Sequence, residues 1–594
     1  MESAAVIDVR RFVKRYRKRL AVDGADLTVR QGEIHGLIGP DGAGKSSLMK
    51  AIAGVLTFDS GEVRVFDTSL VSEKAAEAVK DRIGFMPQGL GLNLYPDLTV
   101  EENIDFFAQL RLLPPNELQQ RKEQLLAVTR LAKFRSRAMR HLSGGMKQKL
   151  GLISTLIHKP RLLILDEPTT GVDPVSRRDF WDILRELLKE HDTTALISTA
   201  YLDEASRFDR ITLMYAGKVM AHGEPHEITS RVPGSVVTFQ ASDQVATLNR
   251  LKREFPSAEA VGPDLRVFIG ATTDVAVGKI VATLPELDPA AVATSPPELE
   301  DAFVALLAQS NPATREWSLP PAGVSFAAHV SVTDAAIEAV GLTKRFGNFL
   351  AAHEVSFTVP QGQIFGLLGA NGAGKTTVIK MLTGILTPTQ GSGHVAGVDM
   401  RAARASIKEC IGYMSQSFSL YGELTVLENI RLYAGVYGLD HHETVERLRW
   451  VLEMAGLEDH QRERADSLPM GLRQRLALGC ALVHKPRVLF LDEPTAGVDA
   501  LGRRQLWEIL FQLSRTLGVA ILVTTHYMSE AERCDQLAIM YGGQIVARAT
   551  PAEMKRATQS EMGRPVSMED VFVSRVTALE AAERDAGDCR KAGP

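Results

Sequence analysis

Two octapeptides carry chemistry that can be read directly from residue type and spacing. The first is Gly39, Pro40, Asp41, Gly42, Ala43, Gly44, Lys45 and Ser46, followed by Ser47; the second is Gly369, Ala370, Asn371, Gly372, Ala373, Gly374, Lys375 and Thr376, followed by Thr377. Glycines at this spacing let backbone N–H groups curl around phosphates, the lysine reaches the β and γ oxygens, and the Ser or Thr hydroxyl ligates Mg²⁺. A second pair of motifs supplies acids: L-L-I-L-D-E (Leu162 to Glu167) and V-L-F-L-D-E (Val488 to Glu493). Four apolar residues make a buried strand, and carboxylates at the carboxyl edge of a parallel strand lie where nucleotide sites assemble. Asp166 and Asp492 would hold Mg²⁺ through water, and Glu167 and Glu493 would polarise an attacking water as general bases.

The elements that must position these groups occur twice. The stretch from Leu142 to Asp173 returns from Leu468 to Asp499 at a constant offset of 326 with no gap, which implies two related domains. Before the first octapeptide, Ile34 to Ile38 reads as a strand, and Ser47 to Ala53 reads as the helix whose N-terminus faces the phosphates. Gln88 follows R-I-G-F-M-P and Gln416 follows C-I-G-Y-M-S, and helical patterns begin at Thr99 and Thr425. Upstream of the octapeptides stand Tyr16 and Phe346, each of which either packs in a core or stacks a flat ring on a base. The basic run Lys14 to Arg19 reads first as a solvated hairpin turn and second as a surface for phosphate or lipid.

The expected order is a first α/β domain over 1–232, a small accessory domain over 233–308, a linker over 309–335, a second α/β domain over 336–578 and a flexible tail over 579–594. The accessory segment alternates strand, helix, strand, strand, helix, strand, an α+β, ferredoxin-like order, and holds no cluster of Cys, His or paired acids. It ends in P-E-L-E-D-A-F-V (Pro297 to Val304), matched by V-S-M-E-D-V-F-V (Val566 to Val573). Lys and Arg number 68 against 72 Asp and Glu, so no excess basic charge points to nucleic acid. No apolar run approaches the roughly 20 residues needed to cross a bilayer. The four cysteines lack C-x-x-C spacing and read as buried or free thiols in a reducing cytoplasm.

P-loop, Gln, S-G-G and L-I-L-D-E, in that order, resemble the ATP-binding cassette (ABC) ATPases. Two cassettes in one chain with D-E-P-T-x-G-V-D and E-D-x-F endings look most like the ATPase subunit of bacterial type-2 multidrug exporters. The resemblance implies two ATPs held head to tail, each between the P-loop of one cassette and the signature of the other. It implies Tyr16 and Phe346 on adenine, Gly39 to Ser47 and Gly369 to Thr377 on phosphate with Mg²⁺, and Gln88 and Gln416 reaching the metal and the γ-phosphate. It also implies Ser143, Gly144 and Gly145 as the signature and His526 as the switch histidine. As partners it implies two separate integral-membrane permeases, with this chain peripheral on the cytoplasmic face of the inner membrane.

The two halves depart from the pattern at related places. Ala200 occupies the position of His526, and Pro469 and Met470 replace Ser143 and Gly144. Proline offers neither hydroxyl nor N–H to a phosphate, and methionine puts a side chain where glycine admits backbone. With sites formed in trans, both losses fall in one composite site, so the expectation is one competent and one degenerate site. Two other functions compete: the double cassette of a sugar importer, and a soluble ribosome-acting double cassette. The second needs either a long charged helical linker or an N-terminal cysteine cluster, whereas 309–335 holds one arginine, Arg315, and the first cysteine is Cys410.

Overall fold

The computed structural model describes residues 4–17, 19–89, 94–191, 193–310, 335–401, 404–415, 420–498 and 500–591. Gln416, Asp499 and most of the expected linker lie outside the described residues. The chain divides into two compact units, one built on the first cassette and one on the second.

In the first cassette a six-stranded sheet carries the site. Its strands run in the order Lys218–Gly223, Arg210–Tyr215, Ile34–Ile38, Thr194–Thr199, Leu162–Asp166, Ile83–Met86. All neighbours are parallel except the first pair. Because side chains alternate along a strand, Leu162 and Ile164 enter one core and Leu163 and Leu165 the other. The first core is closed by an antiparallel sheet containing Ala5–Tyr16 and Arg19–Arg30. Helices close the second, among them Val100–Leu110 and Gly144–Leu156. Thr99 and Glu102 form a capping box that fixes the start of Val100–Leu110.

The second cassette repeats the plan. Its sheet runs Ile411–Met414, Val488–Asp492, Ala520–Thr525, Ile364–Gly369, Gln536–Tyr541, Gln544–Ala549. Thr425 and Glu428 cap the helix Val426–Val436 as their counterparts do.

The accessory segment forms a four-stranded antiparallel sheet in the order Glu259–Val261, Asp264–Ile269, Ser235–Gln240, Ala293–Ser295, with the helices Gln244–Lys252 and Thr273–Thr283. Although it follows the first cassette in sequence, it packs with the second. Two boundaries differ from expectation. The E-D-x-F tail forms the helix Leu299–Ser310, which leaves the accessory sheet and buries Phe303 and Leu307 in the first cassette's core. The tail after 579 is helical to Lys591, an extension of Met568–Lys591. That helix is anchored by buried Met568, Val571, Phe572 and Val576.

Candidate active sites

In both cassettes the P-loop is built alike. The helices Lys45–Ile52 and Lys375–Leu382 begin after Gly44 and Gly374, whose φ angles are 99° and 100°. A Cβ would lie 2.7 Å from the Ala21 carbonyl at Gly44 and 2.3 Å from the Ala351 carbonyl at Gly374, so the cradle admits only glycine. Lys45 Nζ donates to the carbonyls of Gly39 (2.6 Å) and Pro40 (3.0 Å). Lys375 Nζ does the same to Gly369 (2.7 Å) and Ala370 (3.1 Å). Both ammoniums are buried at the mouth of a helix N-terminus, an arrangement suited to polyphosphate.

The acids sit at the carboxyl edge of their strands. Thr376 Oγ1 donates to Asp492 Oδ2 at 2.8 Å, and Thr524 Oγ1 donates to its Oδ1 at 2.6 Å. In the first cassette Ser198 takes the place of Thr524, its Oγ donating to Asp166 Oδ1 at 2.6 Å. Burial pushes the Asp166 carboxyl up, and hydrogen bonds from Ser198 and Ser46 oppose the rise. Among the described residues no group of three or more His, Cys, Asp or Glu side chains is placed to hold a metal alone. A hydroxyl beside one carboxylate suits Mg²⁺, which keeps waters and takes its remaining ligands from phosphate. Ser46 with Asp166 and Thr376 with Asp492 would hold it, where it would neutralise charge on the β and γ oxygens.

Glu167 and Glu493 adopt positive φ, 50° and 53°, which turns each carboxylate out of its strand toward the P-loop lysine. Their surroundings differ. Glu493 Oε1 lies 3.2 Å from His526 Nδ1 and 3.8 Å from Lys375 Nζ. His526 is buried at the end of the strand Ala520–Thr525. Glu167 has Ala200 at that place; it lies 3.2 Å from Lys45 and accepts from Gln88 Nε2 at 2.8 Å and from Thr170 Oγ1 at 3.2 Å. Thr170 has Ala496 as its counterpart, so that extra hydroxyl belongs to the first site alone.

The signature positions also diverge in shape. Ser143 is the N-cap of Gly144–Leu156, and its Oγ accepts from the Met146 N–H at 3.3 Å. Pro469 is the N-cap of Met470–Leu482 and has no side-chain cap. Tyr16 and Phe346 end their strands 46% and 49% exposed, which removes the core alternative for both rings. Tyr16 Oη lies 3.3 Å from Ser47 Oγ, next to the P-loop.

Sequence reading missed a buried glutamate behind each site. Glu204 Oε1 accepts from Thr169 Oγ1 at 2.8 Å and from Trp181 Nε1 at 3.2 Å. Glu530 accepts from Thr525 Oγ1 at 2.6 Å and from Thr495 Oγ1. Each ties the D-E-P-T turn to the helical segment after the switch position. Burial pushes the Glu204 carboxyl up, against the opposing charge of Arg177. Its repeat at the 326 offset was the available signal.

Comparison with known proteins agrees with this geometry. The family profile described as ABC transporter matches residues 22–170 and 352–496. The chain is 39% identical over 580 residues, 96% of its length and 98% of the relative's, to the "Probable multidrug ABC transporter ATP-binding protein YbhF" of Escherichia coli (strain K12). It is 35% identical over 301 residues, 49% of this chain and 93% of the relative, to the "Daunorubicin resistance ATP-binding protein DrrA3" of Streptomyces coeruleorubidus. Among solved structures, that of archaeal ribosome recycling factor aABCE1 with stalk protein aP1 aligns at a TM-score of 0.57 and 18% identity, covering 93% of this chain and 92% of that one, a likeness of fold alone. With two P-loops, two D-E strand ends and likeness along nearly the whole chain, this protein belongs to the ABC transporter family as a tandem double-cassette ATPase, an enzyme that hydrolyses ATP.

Proposed function

We propose that this chain powers export of drugs or other small amphipathic molecules through two separate permease subunits, with one fully competent and one degenerate ATP site. The likeness to a multidrug ATP-binding protein over 96% of the chain supports the export reading. Among the described residues no helix is long and apolar enough to cross a membrane, consistent with a peripheral subunit whose pathway lies in partner chains. Asymmetry rests on one observation: Glu493 faces His526 at 3.2 Å, whereas Glu167 has Ala200 at the histidine's place and accepts from Thr170, whose counterpart is Ala496. In the competent site, Lys375 and the P-loop amides orient the γ-phosphate, Glu493 takes the proton of the attacking water, and His526 holds Glu493 and the phosphate in register. Ser143 to Gly145 of the first cassette complete that site in trans. Pro469 and Met470 face the first cassette's ATP, which binds and turns over slowly.

Coexpression with a pair of integral-membrane permease chains tests the reading. Copurification of all three chains and drug-stimulated ATPase are expected; membrane retention without any permease, or ATPase indifferent to every amphipathic drug in the assembled complex, would overturn it.

A further inference from the structure

The accessory domain is fastened to the second cassette by a largely buried charge cluster and an apolar anchor. Glu259 Oε2 lies 2.9 Å from Arg533 Nη2 and 3.5 Å from Arg504 Nε, and Oε1 lies 3.2 Å from Arg266 Nη1. Burial works to push this carboxyl up, but the charges of Arg504, Arg533 and Arg266 outweigh it and hold the group at about 2. Beside it Lys252 pairs with Glu508, and Arg504 donates to the Ser257 carbonyl. Phe511, from the helix Ala500–Arg515, is buried in the accessory domain's own core with Leu251 and Phe255. The backbones touch as well: a Cβ on Gly262 would come within 3.1 Å of the Glu532 carbonyl.

The first cassette shows why the domain sits where it does. At the 326 offset, Arg504, Glu508 and Arg533 correspond to Arg178, Asp182 and Arg207, so the charges are common to both halves. Phe511 corresponds to Arg185, which is exposed. Only the second cassette offers an aromatic anchor for an apolar core.

The segment gripped by Glu259 belongs to the second ATP site. Arg533 lies just past the helix Met528–Ala531, which begins two residues after His526. That helix carries Glu530, which binds Thr525, the residue before His526, and Thr495, two residues beyond Glu493. A carboxylate in the accessory domain is therefore linked through Arg533 and Glu530 to both ends of the His526–Glu493 pair.

We propose that Glu259 is a positioning residue for the second cassette's ATP site: the docked accessory domain holds the 526–534 segment so that His526 meets Glu493, and undocking it lowers turnover without lowering ATP affinity. This rests on the reading that the second cassette's site is the one that hydrolyses.

The test uses the full-length chain with Glu259→Gln, Glu259→Asp, Glu259→Arg and the swap Glu259→Arg with Arg533→Glu. Hydrogen exchange at 526–534 and steady-state ATPase are read together. For Glu259→Gln we expect kcat to fall about tenfold with KM for ATP within about twofold, since misplacing a reacting group by an ångström can cost about a hundredfold. Glu259→Asp should recover most of that loss, and Glu259→Arg should raise exchange at 526–534 above wild type. The swap should restore protection relative to Glu259→Arg alone. Unchanged kcat in a Glu259→Arg variant whose 526–534 segment has lost protection would overturn the proposal, as would a swap that restores nothing. The exchange result does not depend on which site hydrolyses, so a failure of the asymmetry reading remains distinguishable from a failure of this one.

Discussion

Glu493→Gln and Glu167→Gln should have very unequal effects. Each substitution keeps the size and hydrogen-bonding shape of the side chain while removing its capacity to take a proton. Removing a general base typically costs about 10²–10⁴ in rate, or about 3–5 kcal/mol of barrier at about 1.4 kcal/mol per tenfold. Glu493 lies 3.2 Å from His526, and in the proposed arrangement the signature serving its ATP is the one that retains Ser143. Glu167 has Ala200 at the histidine's place, and Thr170 donates to its Oε2. If turnover runs through Glu493 alone, Glu493→Gln leaves at most about 1% of wild-type activity and Glu167→Gln leaves more than about half. Were both sites equal and independent, each variant would leave about half. The assay is steady-state ATPase on the permease complex, with nucleotide binding measured separately to show that both variants still load ATP. Equal losses in the two variants would refute the reasoning and make Ala200 and Pro469 tolerated drift.

Ser143→Arg, although it lies in the first cassette, should mimic Glu493→Gln, and an ATPase loss matching Glu167→Gln instead would argue against sites completed in trans. In a Glu493→Gln background, Ala200→His with Pro469→Ser and Met470→Gly should raise residual ATPase by about tenfold or more, because the proposed arrangement puts the missing groups in one site. Partly buried His158 and His484 are held down to about 4 mainly by desolvation, each with Nε2 on a carbonyl, Ile83 for His158 and Ile411 for His484. Their folded values lie below the ordinary 6.5, so the unfolded chain binds more protons between those limits. Stability is therefore full above about pH 6.5 and falls toward pH 4, by up to about 3 kcal/mol for each group; urea melts of wild type and His484→Gln across that range should differ in slope. Arg447, buried against Trp450 and bonded to the Val483 and Leu482 carbonyls, should cost about 2–4 kcal/mol when changed to Met, read as a lower urea midpoint.

The local chemistry was legible because it depends on neighbours in sequence. A P-loop needs its glycines and lysine within eight residues, and the strand ending in Asp-Glu announces itself by apolar runs at Leu162–Leu165 and Val488–Leu491. The repeat at constant offset then gave two cassettes, and the comparison of copies exposed Ala200, Pro469 and Met470. Tertiary structure decided what depends on distant partners. Whether Tyr16 and Phe346 belong to a core turned on exposure, which no lone aromatic reveals in sequence. Glu204 and Glu530 look like ordinary surface acids until folding buries them against threonines some 35 residues away. The accessory domain is the clearest case. Covalent order places it after the first cassette, but docking is decided by the buried contact, and only the second cassette presents Phe511 together with Arg504 and Arg533 to receive Glu259.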